Sequence, residues 1–222
     1  MAVQTAPLQA IYKHTSYLRA KRIFDLVFTL LLLLPLLSVM AIVAVAILLD
    51  SEGPVFFRQR RVGLDGKEFY LLKFRSMYHN SGDGRHREAI KEYMNGGALN
   101  GHGEAKYKLG NDDRITKVGR FIRKTSIDEL PQFFNVLRGD MSLVGPRPDV
   151  PYVVELYSQH DRLRLSGKPG LTGIWQVYGR SRVPFKEMVE MDITYLQQQS
   201  LRQDLKLIAL TVPVMVLGRG GA

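Results

Sequence analysis

The chain contains no cysteine among its 222 residues. Disulfides and thiolate metal sites are therefore excluded, and a reducing compartment fits the composition. Acidic residues are outnumbered, with 21 Asp and Glu against 31 Lys and Arg, which gives a formal net charge of +10. This charge indicates an anionic partner: nucleic acid, anionic lipid head groups or a phosphorylated substrate. Composition alone does not choose among them, and the length suits one domain.

Charge is nearly absent from IFDLVFTLLLLLPLLSVMAIVAVAILL, residues 23–49, where Asp25 is the only charged side chain. A straight helix of this length would extend ~40 Å at ~1.5 Å per residue, more than the ~30 Å hydrocarbon core of a bilayer. Buried helices of soluble proteins are rarely so long and so apolar on every face. The run is also too long for the h-region of a typical signal peptide. We therefore expect this segment to be embedded in a membrane.

Two topologies are open for the embedded segment. Basic residues flank it on both sides: Lys13, Arg19, Lys21 and Arg22 before it, and Arg58, Arg60 and Arg61 after it. The positive-inside rule would keep both ends cytoplasmic. Pro35, near the middle, removes one helix hydrogen bond and favours a kink. A re-entrant helix broken at Pro35 satisfies both observations, and an ordinary spanning helix is the alternative.

The rest of the chain predicts a mixture of helices and one hairpin. VFFRQRRVGLDGKEFYLLKFRSM has two β-rich runs around GLDG and predicts a β-hairpin rich in cations. Residues 79–111 predict a surface insertion with one short helix, whose histidines (His79, His86 and His102) lack metal-ligand spacing. RITKVGRFIRK predicts a basic amphipathic helix that covers a core, lies on anionic lipid or lines a phosphate site. VPFKEMVEMDITYLQQQS and the apolar tail DLKLIALTVPVMVLGRG predict two more helices, the second interfacial or packed on the membrane element.

The stretch TSIDELPQFFN raises the question of why two carboxylates stand side by side. Thr125 and Ser126 are good N-caps, and capping boxes with Asp128 and Glu129 predict that the acids lie in the first turn of a helix of about three turns. Gly139 is its natural stop. Acids in a first turn complement the helix dipole, which is a sufficient structural explanation.

The alternative explanation is chemical. Neighbouring helix residues point ~100° apart, so one carboxylate can attack a substrate while the other holds a metal. A helix N-terminus attracts phosphate, and Mg²⁺ suits carboxylates combined with substrate phosphates. With many arginines nearby and a membrane element, the pattern indicates transfer of a phosphate group onto a lipid.

Longer motifs point to a family. DELPQFFNVLRGDMSLVGPRP resembles the signature of the bacterial sugar transferases, the monotopic phosphoglycosyl transferases. Further pieces match in the same order: KRIFDL, GPVFFRQRRVG, LLKFRSM, DDRITKVGRFIRKTSIDELPQ, KPGLTGIWQV and DLKLIALTVPV. They cover nearly the whole chain from Lys21 to Gly220, without the N-terminal arm (1–20) and the insertion (79–111).

The resemblance implies an α+β, mainly helical fold. It has a re-entrant membrane helix at 21–50 and a single membrane-associated catalytic domain at 51–222, with amphipathic interfacial helices. In the family a serine often precedes the proline of the break, whereas Leu34 does so here. Members act at the cytoplasmic face of the bacterial inner membrane. They transfer a sugar phosphate from a UDP-sugar to undecaprenyl phosphate with Mg²⁺, at the start of O-antigen, capsule or exopolysaccharide synthesis.

Site residues carry over by motif position. Asp128 is then the nucleophile that forms a phosphosugar-aspartyl intermediate, and Glu129 binds Mg²⁺. The cations expected to contact substrate phosphate are Arg147 of PRP, Arg123, and Lys73 and Arg75 of KFRSM. Asp192 matches an acidic position near the site. The ordinary structural alternatives are hairpin surface charge for Lys73 and Arg75 and a solvated helix acid for Asp192. We expect Trp175 to lie in the core or to anchor an interface, and not to form a base-stacking platform.

Two other functions compete with this one. In a direct transfer, Asp128 would act as a base instead of a nucleophile. In a membrane-tethered module that binds nucleic acid or anionic lipid, binding would depend on salt and not on Asp128. The basic residues show no aromatic platform or nucleic-acid motif, so we expect no nucleic-acid partner. The identity of the sugar and a homo-oligomeric state are open, and the chain is expected to be the minimal catalytic unit or a piece of a longer member.

Overall fold

The computed structural model describes residues 15–79, 84–94, 112–179 and 183–216. Residues 1–14 of the arm, and 80–83 and 95–111 of the insertion with His102, lie outside the described residues. The elements within them are α1 (Thr15–Asp50), β1 (Phe56–Val62), β2 (Glu68–Phe74), α2 (Gly84–Met94), α3 (Lys117–Lys124), α4 (Gln132–Arg138), β3 (Ser142–Val144), α5 (Pro151–Val154), β4 (Gly170–Thr172), α6 (Phe185–Gln198) and α7 (Leu201–Val216).

α1 is an uninterrupted helix through Pro35, so the predicted break there is not confirmed. Its buried side chains follow one stripe along the helix: Lys21, Asp25, Thr29, Leu33, Met40, Val43 and Ile47. Its other faces are apolar and exposed, with Leu34 at 69 % and Leu49 at 83 %. Of the helices in the described residues, α1 alone is long and apolar enough to cross a membrane.

The N-terminal end of α1 is fixed to the domain by polar contacts. Nζ of Lys21 lies 2.7 Å from Oδ2 of Asp204 in α7, and both side chains are buried. The guanidinium of Arg22 donates to the carbonyls of Val136 and Leu137 at 2.6 and 2.8 Å. Arg22 thereby satisfies carbonyls at the end of α4, where a cation also complements the helix dipole.

The C-terminal end of α1 docks on α3 and β2. The carboxylate of Asp50 accepts a hydrogen bond of 2.9 Å from the N–H of Val118, in the first turn of α3. Arg75, just after β2, is buried and donates to the carbonyls of Ser51 and Glu52 at 2.6 and 2.7 Å. Both ends of α1 therefore contact the same domain.

The predicted hairpin is confirmed. β1 and β2 are antiparallel and are joined by the turn Leu64–Gly66. Phe57 pairs with Lys73 and Arg61 pairs with Phe69. Because residues two apart on a strand share a face, Arg61 and Lys73 project from the same side of the hairpin.

The connection between α3 and α4 corrects one prediction. α3 ends at Lys124 and α4 begins only at Gln132, with a single 3₁₀ turn, Ile127–Glu129, between them. The predicted capping boxes are wrong, because the Thr125 hydroxyl donates back to carbonyls of α3 and Ser126 takes a left-handed φ of 57° with no side-chain cap. The acid pair therefore lies in a separate turn and not in the first turn of an α-helix.

The end of α4 is as predicted, since Gly139 has a φ of 92° and terminates the helix. The chain then forms β3, which pairs in parallel with β4 in a way that the sequence did not predict. This strand pair is buried at the centre of the domain, with Val144 fully inaccessible. α6 and α7, both predicted, cover it, and the hydroxyl of Tyr195 donates to the carbonyl of Val144 at 3.1 Å.

Replacing Arg75 tests the docking of α1. Arg75→Met leaves the carbonyls of Ser51 and Glu52 without their charged donor, so we expect a loss of about 2–4 kcal/mol in the free energy of unfolding. Thermal unfolding of the purified protein measures it. Arg58→Met, at an exposed position on the neighbouring strand, is the matched control and should change the midpoint little. Equal stability of both variants would contradict the role of Arg75.

Candidate active site

Asp128 and Glu129 lie where parts of the chain that are distant in sequence meet. Their 3₁₀ turn packs against β2 of the hairpin. Asp128 is only 8 % exposed. A carboxylate so far withdrawn from water needs partners or a function.

Glu129 is bound by two cations. Nζ of Lys73, in β2, lies 2.9 Å from Oε1 of Glu129, and Nη2 of Arg147 lies 2.6 Å from the same oxygen. Nη1 of Arg147 reaches Oε2 at 3.4 Å, which makes the pair a fork. Asp128 has a weaker contact, with its Oδ2 3.9 Å from Nζ of Lys73. The charge of Glu129 is therefore well compensated and that of Asp128 is less so.

The surroundings shift the pKa values of the two carboxyl groups in opposite directions. Burial raises the pKa of Asp128 above its ordinary value, and the charge of Glu129 adds to this, while Lys73, Arg123 and Arg147 offset part of it. Burial also opposes ionisation of Glu129, but the charges and hydrogen bonds of Arg147 and Lys73 outweigh it and hold its pKa well below the usual range. Glu129 is thus a fixed anion, and Asp128 is a more basic carboxylate beside it.

Arg123 is the third cation that acts on Asp128. It lies in the last turn of α3, is half-buried, and lowers the pKa of Asp128 by its charge. Within the described part of the chain, its guanidinium forms no hydrogen bond or ion pair. The structure thus brings four predicted residues to one place with Asp128: Glu129, Lys73, Arg147 and Arg123.

Two predicted residues lie elsewhere. Arg75 holds carbonyls at the end of α1, as described above, and does not contact the acid pair. Asp192 is 1 % exposed and is bound by Nη2 of Arg164 at 2.5 Å. The same guanidinium nitrogen donates to the backbone carbonyl of Arg147 at 3.0 Å. Asp192 therefore reaches the site only through Arg164.

Sequence reasoning missed Arg61 as a residue of the site. Its guanidinium donates to the carbonyl of Pro148 at 2.8 Å and to Gln59. Burial, together with the neighbouring charge of Arg147, lowers the pKa of Arg61 to about 10. Strand alternation was the available signal, because it places Arg61 on the face of Lys73 and places Arg58 and Arg60 on the other face.

The side chains at the site can be compared with the ligands that the expected magnesium ion requires. Among the described residues there is no cluster of three or more His, Cys, Asp or Glu that could hold a metal. Glu129 is a single hard carboxylate beside a buried second one, and Mg²⁺ commonly binds to one or two carboxylates together with substrate phosphates. The residues therefore fit a magnesium ion that is shared with substrate, and not one caged by protein alone.

A matched pair of substitutions tests this electrostatic picture. Asp128→Asn removes a carboxylate whose pKa is raised in the folded state, which means that its charge destabilises the fold. At pH values above ~4, this variant should therefore unfold at a higher temperature than the wild type. Glu129→Gln removes a charge whose pKa is lowered and leaves two cations uncompensated, so it should cost about 1–3 kcal/mol of stability. Thermal unfolding at pH 7 measures both. The effect of Asp128→Asn should vanish as the pH falls towards ~4, whereas the effect of Glu129→Gln should persist there and fade only at lower pH, because the pKa of Glu129 is held well below the usual range. Shifts of the same sign would contradict the assignment.

Comparison with known proteins gives consistent matches. A sequence profile described as "Bacterial sugar transferase" matches residues 16–218. Galactosyl transferase CpsE of Streptococcus agalactiae is 43 % identical over 210 residues, which make up 94 % of this chain and 44 % of that protein. Undecaprenyl-phosphate galactose phosphotransferase of Salmonella typhimurium is 44 % identical over 203 residues, 91 % of this chain and 41 % of that protein. Exopolysaccharide production protein ExoY of Sinorhizobium fredii is 39 % identical over 201 residues, 90 % of this chain and 87 % of that protein.

The chain spans less than half the length of the first two relatives and most of the third. The profile match, in contrast, extends from the start of α1 to the end of α7 and includes the acid pair and its cations. On the strength of that match, this chain belongs to the bacterial sugar transferase family.

Proposed function

We propose that this protein transfers a sugar 1-phosphate from a UDP-sugar to undecaprenyl phosphate and releases UMP. The proposal rests on the buried carboxylate of Asp128, which lies among three cations on a domain joined to a long apolar helix. A nucleophile, cations for phosphate and a membrane element are what such a transfer requires. The name of the Salmonella relative, an undecaprenyl-phosphate galactose phosphotransferase, supports it.

In the first step, a carboxylate oxygen of Asp128 attacks the sugar-bearing phosphorus of the donor. The bond from that phosphorus to the bridging oxygen breaks, and UMP leaves with the electron pair. Arg123, Arg147 and Lys73 are the cations near enough to stabilise charge on the phosphates. The raised pKa of Asp128 makes its carboxylate a better nucleophile than an exposed one, since basicity and nucleophilicity rise together.

In the second step, a phosphate oxygen of the lipid acceptor attacks the aspartyl phosphosugar. The acyl phosphate bond breaks and the Asp128 carboxylate is restored, with polyprenyl-diphosphate-sugar as product. Neither step needs a strong base, because carboxyl and phosphate groups lose their protons far more readily than the hydroxyl of an alcohol. This chemistry accounts for a site built from carboxylates and cations.

Glu129 would hold Mg²⁺, which would neutralise charge on the donor phosphates when bound. Lys73 and Arg147 now occupy its carboxylate, so a donor that draws these cations onto its own phosphates frees Glu129 for the ion. The charge on Glu129 is present at any working pH because its pKa is well below the usual range.

We further propose that α1 is re-entrant and that the domain lies on the cytoplasmic face of the inner membrane. Both ends of α1 are bonded to one domain, through Arg22 at one end and Asp50 at the other. A helix that crossed the bilayer would hold its ends ~30 Å apart on opposite sides, where one water-soluble domain could not bind both. Pro35 has no N–H to donate, so one helix hydrogen bond is missing there and the helix can bend at this point within the membrane.

UMP release is the direct test of the reaction. The detergent-purified protein, with Mg²⁺, undecaprenyl phosphate and a panel of UDP-galactose, UDP-glucose and UDP-N-acetylglucosamine, should release UMP from at least one donor. Asp128→Asn should lower the rate more than ~10³-fold, and Glu129→Ala should also lower it strongly. Asp113→Asn, an exposed acid just upstream of α3, is the control.

The intermediate separates the two enzymatic mechanisms. Without the lipid acceptor, wild-type protein should release close to one UMP per molecule and carry a labelled phosphosugar that Asp128→Asn lacks. In a direct transfer with Asp128 as base, no UMP would appear until the acceptor is added. Full turnover by Asp128→Asn would exclude both mechanisms.

Topology can be measured cleanly because the chain has no cysteine. Ser16→Cys reports the start of α1, and Asp113→Cys reports the domain. A membrane-impermeant maleimide should label both from the cytoplasmic side only. Labelling of Ser16→Cys from the opposite side would show that α1 spans the membrane.

A further inference from the structure

The segment that carries Arg147, residues 145–149, belongs to no helix or strand. Its backbone is nevertheless held at every carbonyl from Pro146 onward. The donors are the N–H of Gly170 to Pro146 at 2.9 Å, Arg164 to Arg147 at 3.0 Å, Arg61 to Pro148 at 2.8 Å and the N–H of Val62 to Asp149 at 2.9 Å. Two of these four donors are arginine side chains.

Arg164 is the more deeply placed of the two arginines. It is 2 % exposed and lies in the 3₁₀ segment Asp161–Ser166. Its Nη1 contacts Asp149 and donates to the hydroxyl of Tyr157 at 2.6 Å, and its Nη2 contacts Asp192 at 2.5 Å. Two carboxylates thus compensate one buried guanidinium, which is a costly arrangement if only stability is at stake.

We propose that Arg164 is a positioning residue that holds the backbone of Arg147, so that the Arg147 side chain starts from one fixed position, from which it meets Glu129 in the free protein and the substrate phosphates when the donor binds. This inference rests on the proposed function. Arg164 is too deeply buried to touch substrate itself. It acts through the Arg147 carbonyl, while Asp192 and Asp149 fix its own orientation.

The planar fork of arginine is essential to this role. One guanidinium reaches the Arg147 carbonyl, Asp192, Asp149 and Tyr157 in fixed directions. The ammonium of lysine keeps the charge and can pair with a carboxylate, but it cannot span both sides of this network. Arg164→Lys should therefore fold, but the backbone of the Arg147 segment should lose its hydrogen bond from residue 164. A displacement of about 1 Å at a phosphate-binding group can cost ~10²-fold in rate.

A double-mutant cycle isolates the positioning role from general stability. We expect Arg164→Lys to lower kcat/KM for the active UDP-sugar by ~10-fold or more in the wild-type background. In the Arg147→Ala background, Arg164→Lys should change kcat/KM by less than ~2-fold, because the side chain that Arg164 positions is absent. Arg162→Lys, at an exposed position in the same 3₁₀ segment, is the control and should stay within ~2-fold in both backgrounds. An equal loss in both backgrounds would overturn the proposal.

Hydrogen–deuterium exchange supplies a readout that does not depend on turnover. Arg164→Lys should speed exchange at the amides of Gly170 and Val62, which donate to the carbonyls of Pro146 and Asp149, and should leave the middle of α1 unchanged. Unchanged exchange at these amides would also overturn the proposal. A wild-type protein that releases no UMP from any donor would instead count against the proposed function, and the exchange result would still decide the role of Arg164.

Discussion

One carboxylate, that of Glu129, joins parts of the chain that are far apart in sequence. Lys73 belongs to the hairpin and Arg147 to the segment after β3, and both bind the carboxylate of Glu129. The two positive charges can lie close together because the negative charge of Glu129 lies between them. Their attraction to it offsets part of the cost of withdrawing three charges from water. The neighbouring Asp128 receives much less compensation. The arrangement therefore leaves the less compensated charge on Asp128, the residue that we propose as the nucleophile.

The domain combines this charged centre with a helix whose outer face is apolar. α1 buries one narrow stripe and exposes the rest, which is the reverse of what a water-soluble fold favours. Its polar contacts lie towards the two ends, at Lys21, Arg22 and Asp25 on one side and at Asp50 on the other. The proposed re-entrant topology, with water-accessible ends and a lipid-facing middle, accounts for this division.

Local patterns in the sequence predicted much of this structure. Apolar length predicted α1, strand alternation around GLDG predicted the hairpin, and Gly139 predicted the end of α4. The acid pair was expected at the start of an α-helix because Ser126 and Glu129 match a capping box. The left-handed backbone of Ser126 prevents that cap, and serine, unlike glycine or asparagine, gives no sequence signal for such a backbone state.

Long-range partners were beyond sequence reasoning. The parallel pairing of β3 with β4 joins two short strands that lack a recognisable crossover helix. Nothing in the sequence distinguishes Arg164 from other arginines in polar stretches. Its burial depends on ion pairs with Asp149 and Asp192, which belong to different parts of the chain. Arg75 and Lys73 stand two residues apart in one motif, yet one holds the end of a helix and the other holds the acid pair. Only the tertiary structure separates such roles.

In the proposed re-entrant topology, the attachment of both ends of α1 to the domain also constrains the surrounding lipid. A free membrane helix adapts to a thicker or thinner bilayer by tilting. α1 cannot tilt by itself, because Lys21, Arg22 and Asp50 tie its ends to a folded domain. The hydrophobic mismatch must then be taken up by the bilayer, whose leaflet deforms around the protein. In this proposed arrangement, the thickness of the host membrane becomes a determinant of how deeply the whole domain lies in it.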